Sequence, residues 1–273
     1  MEITKIGVEQ FATLILGTGI GFIVPIVIAI IWIIKKKEHY IKVIVGALTF
    51  LIAVLLLEKP LQALVVSTNT TLGAYINARP ILLAFVFGLF PGVFEETGRF
   101  IAFKTALKKY QNKETAISYG IGHGGFEIMM LMGMGFGAYI SYALMINTGT
   151  FEAMVEQVRQ VSPEQVDSLY AIATALSELS LSNLPLSMFE RVFAFIYHIA
   201  ASILVFYACR EKKCFFLYPL AIVLHTILDM FVSLYSLKVL NIPVMGLEII
   251  IAVFSVLVFA GAYLGLYKKD QQM

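Results

Sequence analysis

The sequence predicts an all-α, polytopic membrane bundle of about seven transmembrane helices. Hydrophobic residues fill 59% of the 273 positions, whereas soluble domains run at roughly 45 to 50% even with glycine counted as apolar. The charged residues, only 14% of the chain, fall in clusters instead of being spread as on a soluble surface. Between those clusters lie apolar runs of the length that a bilayer core demands, about 20 residues each.

The first run extends from Phe11 to Ile34 and closes on Lys35, Lys36 and Lys37. It lacks the basic start and small-residue cleavage site of a signal peptide and is too long for one, so it is expected to stay as an anchor. The second runs from Ile41 to Leu57. The stretch from Leu61 to Arg79, with Ser67, Thr68, Asn69, Thr70 and Thr71, is too polar to span. The third run, Pro80 to Phe103, precedes Lys104, Lys108, Lys109 and Lys113, and the fourth covers Ala116 to Ile146. The segment 147–183 carries Glu152, Glu156, Glu164, Asp167 and Glu178 against Arg159 alone and reads as an extracytoplasmic loop. Within it, Ser162 followed by Pro163 has the form of a helix start. The fifth run, Leu184 to Ala208, leads into Arg210, Lys212 and Lys213. The sixth, Phe215 to Leu237, and the seventh, Ile242 to Tyr267, meet at a turn around Asn241 and Pro243, and Lys268 and Lys269 follow. Seven crossings put all four basic clusters on one face, which the preference of Lys and Arg for the cytoplasm makes the inner one. The N-terminus is then outside and the C-terminus cytoplasmic. Without repeats or low-complexity tracts, residues 1–273 read as a single integral membrane domain of the cell membrane, in contact with lipid.

Several function classes drop out. A net charge of +2 and the lack of a basic tract interleaved with aromatics exclude nucleic acid as a partner. Cys209 and Cys214 are the only cysteines, too few for a disulfide framework and without histidines at zinc-finger spacing.

Polar residues inside the apolar runs carry the functional signal, because each buried charge costs about 2.5 to 3.5 kcal/mol even on lenient insertion scales. The third run ends Glu95-Glu96-Thr97-Gly98-Arg99. Glu95 and Arg99 share a face at i,i+4, so an ion pair there would hold one carboxylate charged beside its neighbour; a headgroup ion pair at the helix end explains the same residues. The fourth run places His123 and Glu127 one turn apart among four glycines, a spacing that suits two metal ligands or a ligand with its orienting carboxylate. Gly133 and Gly137, among methionines, read as packing residues. The fifth run holds His198, with Glu190 and Arg191 two turns earlier, and the sixth repeats the i,i+4 pattern as His225 and Asp229. At about 1.5 Å of rise per residue, His123, His198, His225 and the glutamate pair all fall near one depth. Unrelated polar residues would scatter; these converge from four spans.

Together, Glu95-Glu96-x-x-Arg99, the glycine-rich His123-x-x-x-Glu127, Glu190-Arg191 with His198, and His225-x-x-x-Asp229 resemble the YhfC family of intramembrane metalloproteases. That family is similar to the wider group of type II CAAX prenyl proteases, CPBP (Abi) proteins and PrsW-type proteases. The resemblance implies a glutamate-and-histidine site, opening toward the cytoplasm, that activates water to cleave a peptide bond in a protein or peptide substrate in or near the membrane. It implies Glu95 as base with Glu96 and Arg99 ordering it, His123, His198 and His225 as ligands of a divalent metal, zinc by default, Glu127 as a fourth ligand or second base, and Asp229 as the partner of a histidine. Two departures weigh against carrying over a prenylated substrate: the glutamate pair precedes arginine by one residue fewer than in the CAAX proteases, and the second motif is glycine-rich; Asp229 also stands where many relatives have asparagine, which bears on how an oxyanion is stabilised or a histidine oriented. Two other readings use the same residues. One is a transporter relaying protons or cations through the buried carboxylates and histidines; the other is a bis-histidine haem carrier.

Overall fold

The computed structural model describes residues 4–270, the side chains of Glu164, Asn183 and Ser187 aside. The described residues form helices joined by turns and short irregular segments and contain no strand. Seven helices are long and apolar enough to cross a membrane: α1 (Val8–Lys36), α2 (Ile41–Val65), α4 (Pro80–Lys104), α5 (Glu114–Thr148), α8 (Leu184–Arg210), the segment Lys212–Ser236 that contains α9 (Leu217–Ser236), and α10 (Val244–Tyr267). Between the second and third of them lies the short α3 (Thr71–Asn77), whose Thr70 cap accepts a hydrogen bond from the Gly73 amide at 2.9 Å. The segment 147–183 folds as α6 (Phe151–Val161) and α7 (Val166–Ser177), neither of which is among the seven.

The second span is eight residues longer than the apolar run that announces it. Residues Leu51–Glu58 wind as a π-helix, and the chain continues helically through Glu58 and Lys59 to Val65. Those charges do not end the helix because they pair with each other at 2.8 Å, with Glu58 fully buried and Lys59 reaching out.

Two compact units divide the chain. The first comprises residues 1–26 and 128–188. Its core gathers Leu14, Ala143 and Ile146 with Phe151 and Val155 of α6 and Val166, Leu169, Ala173 and Leu176 of α7, a three-and-four spacing that buries one face of α7. Asn147 clasps the Ile6 backbone through both its amide groups, and Gly149, at φ +77°, turns the chain out of α5 in the left-handed conformation that glycine adopts freely. α7 enters through a 3-10 turn at Pro163–Gln165, and Ser162 makes no side-chain cap. Gly133 packs directly against Phe22, whereas a side chain at Gly137 would meet only Thr18 at ordinary contact distance.

The second unit comprises residues 27–127 and 189–273. Its tightest crossing brings α2 against α5, where a Cβ on Gly122 would lie 1.9 Å from the Val43 carbonyl oxygen and one on Gly46 would lie 2.2 Å from that of Tyr119. Only glycine permits that approach, which explains one of the four glycines around His123, Gly122, together with Gly46 facing it on α2. The basic ends of this unit meet. Lys104 donates to the Cys209 carbonyl (2.8 Å), Lys113 to that of Asp270 (2.7 Å), and Arg210 and Tyr207 both donate to the Asp270 carboxylate at 2.6 Å. Buried Lys42 pairs with Glu38 and donates to Asn112, and Trp32 donates to Ser118 at 2.9 Å.

Candidate active site in the second unit

Four helices of the second unit bring the charges singled out in the sequence to one place. α4 turns Glu95, Glu96 and Arg99 inward, all buried. The Arg99 guanidinium donates from Nε (2.9 Å) and Nη2 (3.2 Å) to the two oxygens of Glu96, a forked ion pair. Its remaining donors reach across to α8, at 2.7 Å from Ser202 Oγ, 3.3 Å from the His198 carbonyl oxygen and 3.3 Å from His198 Nδ1. Arg99 therefore pairs with Glu96 at i,i+3 and not with Glu95 at i,i+4 as the face-sharing argument expected. A second partner holds Glu96 in place: His225 Nδ1 lies 2.8 Å from Glu96 Oε1, so Glu96 is held between α4 and α9 while Glu95 is turned toward α5.

Glu95 faces two histidines. Its Oε2 is 2.9 Å from His123 Nε2 and 3.9 Å from His198 Nδ1. One donor atom from each of Glu95, His123 and His198 lies within 4.8 Å of the others, and all three residues are buried. The His123 and His198 rings sit 4.9 Å apart. His123 Nδ1 is buried without any hydrogen-bond partner, an omission that a protein interior tolerates rarely.

The outer partners are carboxylates. His198 Nε2 lies 2.5 Å from Glu127 Oε2, an ion-pair contact out of line for a directed hydrogen bond, and Arg191 holds the other Glu127 oxygen at 2.9 Å. Glu127 thus serves His198 across the helix pair and not His123 on its own helix. Arg191 also pairs with Glu190, so Glu190 is turned away from His198 although eight residues return it to nearly the same face. His225 presents Nδ1 to Glu96 and Nε2 to Asp229 Oδ2 at 3.7 Å, and its ring lies 5.5 Å from that of His198. Its nitrogens face carboxylates, and it stands outside the three-residue cluster.

Three participants were not singled out in the sequence. Ser202 is an unremarkable hydroxyl in an apolar helix and carries no signal. Tyr197, next to His198, packs edge-on against His225 at 5.2 Å, with its hydroxyl unpartnered. Glu58 is a fully buried carboxylate with one oxygen paired to Lys59 and the other unpartnered; its signal was a charge directly abutting the apolar run of the second span.

Imidazole and carboxylate donors from three helices, one of them with a vacant nitrogen, fit a divalent cation. A model of the YhfC intramembrane metalloprotease family matches residues 20–252, a stretch that takes in every one of these groups. The chain is also 29% identical over 250 residues to the uncharacterized membrane protein YhfC of Bacillus subtilis (strain 168), an alignment covering 91% of this chain and 93% of that one. No solved structure matches it. Seven spanning helices and a relative that is a membrane protein make this a multi-pass protein of the cell membrane. By the family match over most of its length, the chain belongs to the YhfC intramembrane metalloprotease family.

Proposed function

We propose that this protein is a metal-dependent peptidase acting on membrane-associated polypeptides. The observation that carries the reading is the buried meeting of Glu95, His123 and His198, from three different spans, with donor atoms within 4.8 Å. Those three residues would hold the ion, zinc being the default for such ligands. When bound, a divalent metal lowers the pKa of its water and polarises the scissile carbonyl.

The rest of the chemistry falls to groups around the cluster. Glu127, 2.5 Å from His198 Nε2, would hold the ring proton on that nitrogen and leave the Nδ1 lone pair free to serve as a ligand, the long 3.3 Å contact from Arg99 being the one given up. Arg191 fixes Glu127, and through it the orientation of the His198 ring. Glu96 fixes Nδ1 of His225, which turns Nε2 toward Asp229. The His225–Asp229 pair includes the partly exposed carboxylate of Asp229 and is suited to passing a proton to the departing amine. In this reading His225 works as a proton carrier beside the cluster, and Glu95 divides its role between ligand and base.

The test compares new protein N-termini in membranes of cells expressing the wild type and Glu95→Gln, alongside the metal content of both purified proteins. Cleavage products and metal that disappear together in a folded Glu95→Gln support the proposal. Products that persist in that variant refute it, and movement of protons or cations in liposomes that Glu95→Gln abolishes, with no cleavage, favours the transporter instead.

A further inference from the structure

Burial along the site helices is strongly one-sided. On the lysine-rich side of the cluster every residue of α5 from Thr115 to Gly125 is buried, as is every residue of α8 from Ala200 to Ala208. Arg99, Tyr119 and Ser202 have no exposed surface, and Phe103 and Phe206 close over them with ring centroids 5.4 Å apart. The network joining Lys42, Glu38, Asn112 and Ser118 seals that end further. Packing loosens on the other side. Asp229 is 34% exposed, Glu190 32% and Arg191 17%, and α9 has no buried residue from Asp229 to Tyr235.

Asp229 lies seven residues inside the end of its span, about 10 Å along the helix. A carboxylate at that depth cannot face hydrocarbon, where it would cost several kcal/mol, so its exposed surface marks water entering the protein. A separate observation agrees. Glu58 Oε2, Gln62 Nε2 and Glu248 Oε2 are buried without hydrogen-bond partners, and all three residues lie in the parts of their spans away from the lysine-rich ends. Such atoms need water. The π-wound stretch Leu51–Glu58 carries Glu58 into this buried position.

We infer that the site is entered from the membrane face opposite the four basic clusters, the extracytoplasmic face by the distribution of Lys and Arg, through a wet cleft passing Asp229, Glu58 and Arg191. This inference rests on the peptidase reading for its substrate class: polypeptide segments presented outside the cytoplasm. It reverses the cytoplasmic opening that the family resemblance implies.

The test is thiol accessibility in the full-length protein with Cys209 and Cys214, its only cysteines, changed to Ser. Three reporters are introduced singly: Asp229→Cys in the cleft, Ser202→Cys behind the cluster, and Lys108→Cys as a marker of the basic face. The probe is a membrane-impermeant methanethiosulfonate bearing a quaternary ammonium, applied to intact cells and to inverted vesicles. Asp229→Cys is expected to react in intact cells at least about tenfold faster than Ser202→Cys, since buried thiols are inert, while Lys108→Cys reacts only in inverted vesicles. Reaction of Asp229→Cys only from the Lys108 face, or from neither face, overturns the inference. If Asp229→Cys does not fold, Ser233→Cys, one turn nearer the mouth on the same helix face, takes its place with the same expected outcomes. Labelling does not depend on turnover, so a metal-free or inactive protein would sink the peptidase reading while leaving the entry side standing.

Discussion

Arg99 offers the most direct check on the site's construction. Replacing it by Met removes the forked pair with Glu96 and the donors to Ser202 and the His198 carbonyl, while preserving much of the side-chain volume. Breaking one partner out of a buried ion pair costs about 3 to 5 kcal/mol, because the survivor is left charged in a poor solvent. Glu96 keeps its 2.8 Å contact to His225, which sets the expectation at the lower end, about 3 kcal/mol. For a chain of this size each kcal/mol moves Tm by about 2 to 4 °C, so the variant should melt about 6 to 12 °C lower. The assay is thermal unfolding of the detergent-purified protein followed by circular dichroism. The informative comparison is the double variant Arg99→Met with Glu96→Gln, which removes the stranded charge and keeps a polar partner for His225; it should regain at least half of the lost Tm. A single variant that melts within about 2 °C of the wild type, or a double variant no better than the single one, would falsify the description of Glu96 and Arg99 as a desolvated pair.

Three other outcomes follow from the geometry. Glu95→Gln and His123→Ala should each lower the affinity for a divalent metal by more than the 10- to 100-fold loss typical of an orienting partner, with Arg191→Ala falling inside that range; equilibrium dialysis followed by elemental analysis ranks the three, and equal losses would contradict the division between cluster and support. Gly122→Ala should prevent α2 and α5 from docking and leave little folded protein by size-exclusion chromatography, whereas Gly135→Ala, where nothing lies within 4 Å, should be neutral or raise stability by up to about 1 kcal/mol. At the basic end, burial raises the Asp270 carboxyl, but hydrogen bonds from Arg210 and Tyr207 outweigh it and hold it below its ordinary value of 3.8. A carboxyl lowered in the folded state stabilises above that value and loses its contribution as pH falls through the lowered one. The Tm difference between wild type and Asp270→Asn, worth about 1 kcal/mol at such a partly exposed pair, should therefore shrink toward zero as pH drops below 4.

The fold was legible because hydropathy and basic clusters are one-dimensional signals: the run from Ala116 to Ile146 became Glu114–Thr148, and that from Pro80 to Phe103 became Pro80–Lys104. Depth was legible for the same reason, since a helix converts residue count into height, and His123, His198 and the two glutamates do meet. Pairing was not. Spacings of three and four residues both fit a shared helix face, and only the rotation of α4 and α5 against α8 and α9 decides that Arg99 takes Glu96, that Glu127 serves His198, and that His225 faces Glu96 and Asp229. The side from which the pocket opens was likewise invisible, because it depends on how densely neighbouring helices pack on either side of a residue.

The π-wound stretch of α2 makes the chain sensitive to length as well as to composition. Removing a single apolar residue between Leu51 and Leu57 costs no hydrophobicity, but unless the backbone re-winds to ordinary α geometry and takes up the missing residue, everything after it swings by about 100° around the helix axis. Glu58 would then leave the interior for the acyl chains, carrying Lys59 and Gln62 with it. A one-residue deletion that no hydropathy profile would notice should thus be worse tolerated here than most substitutions, and the number of residues in this helix is part of how the site is built.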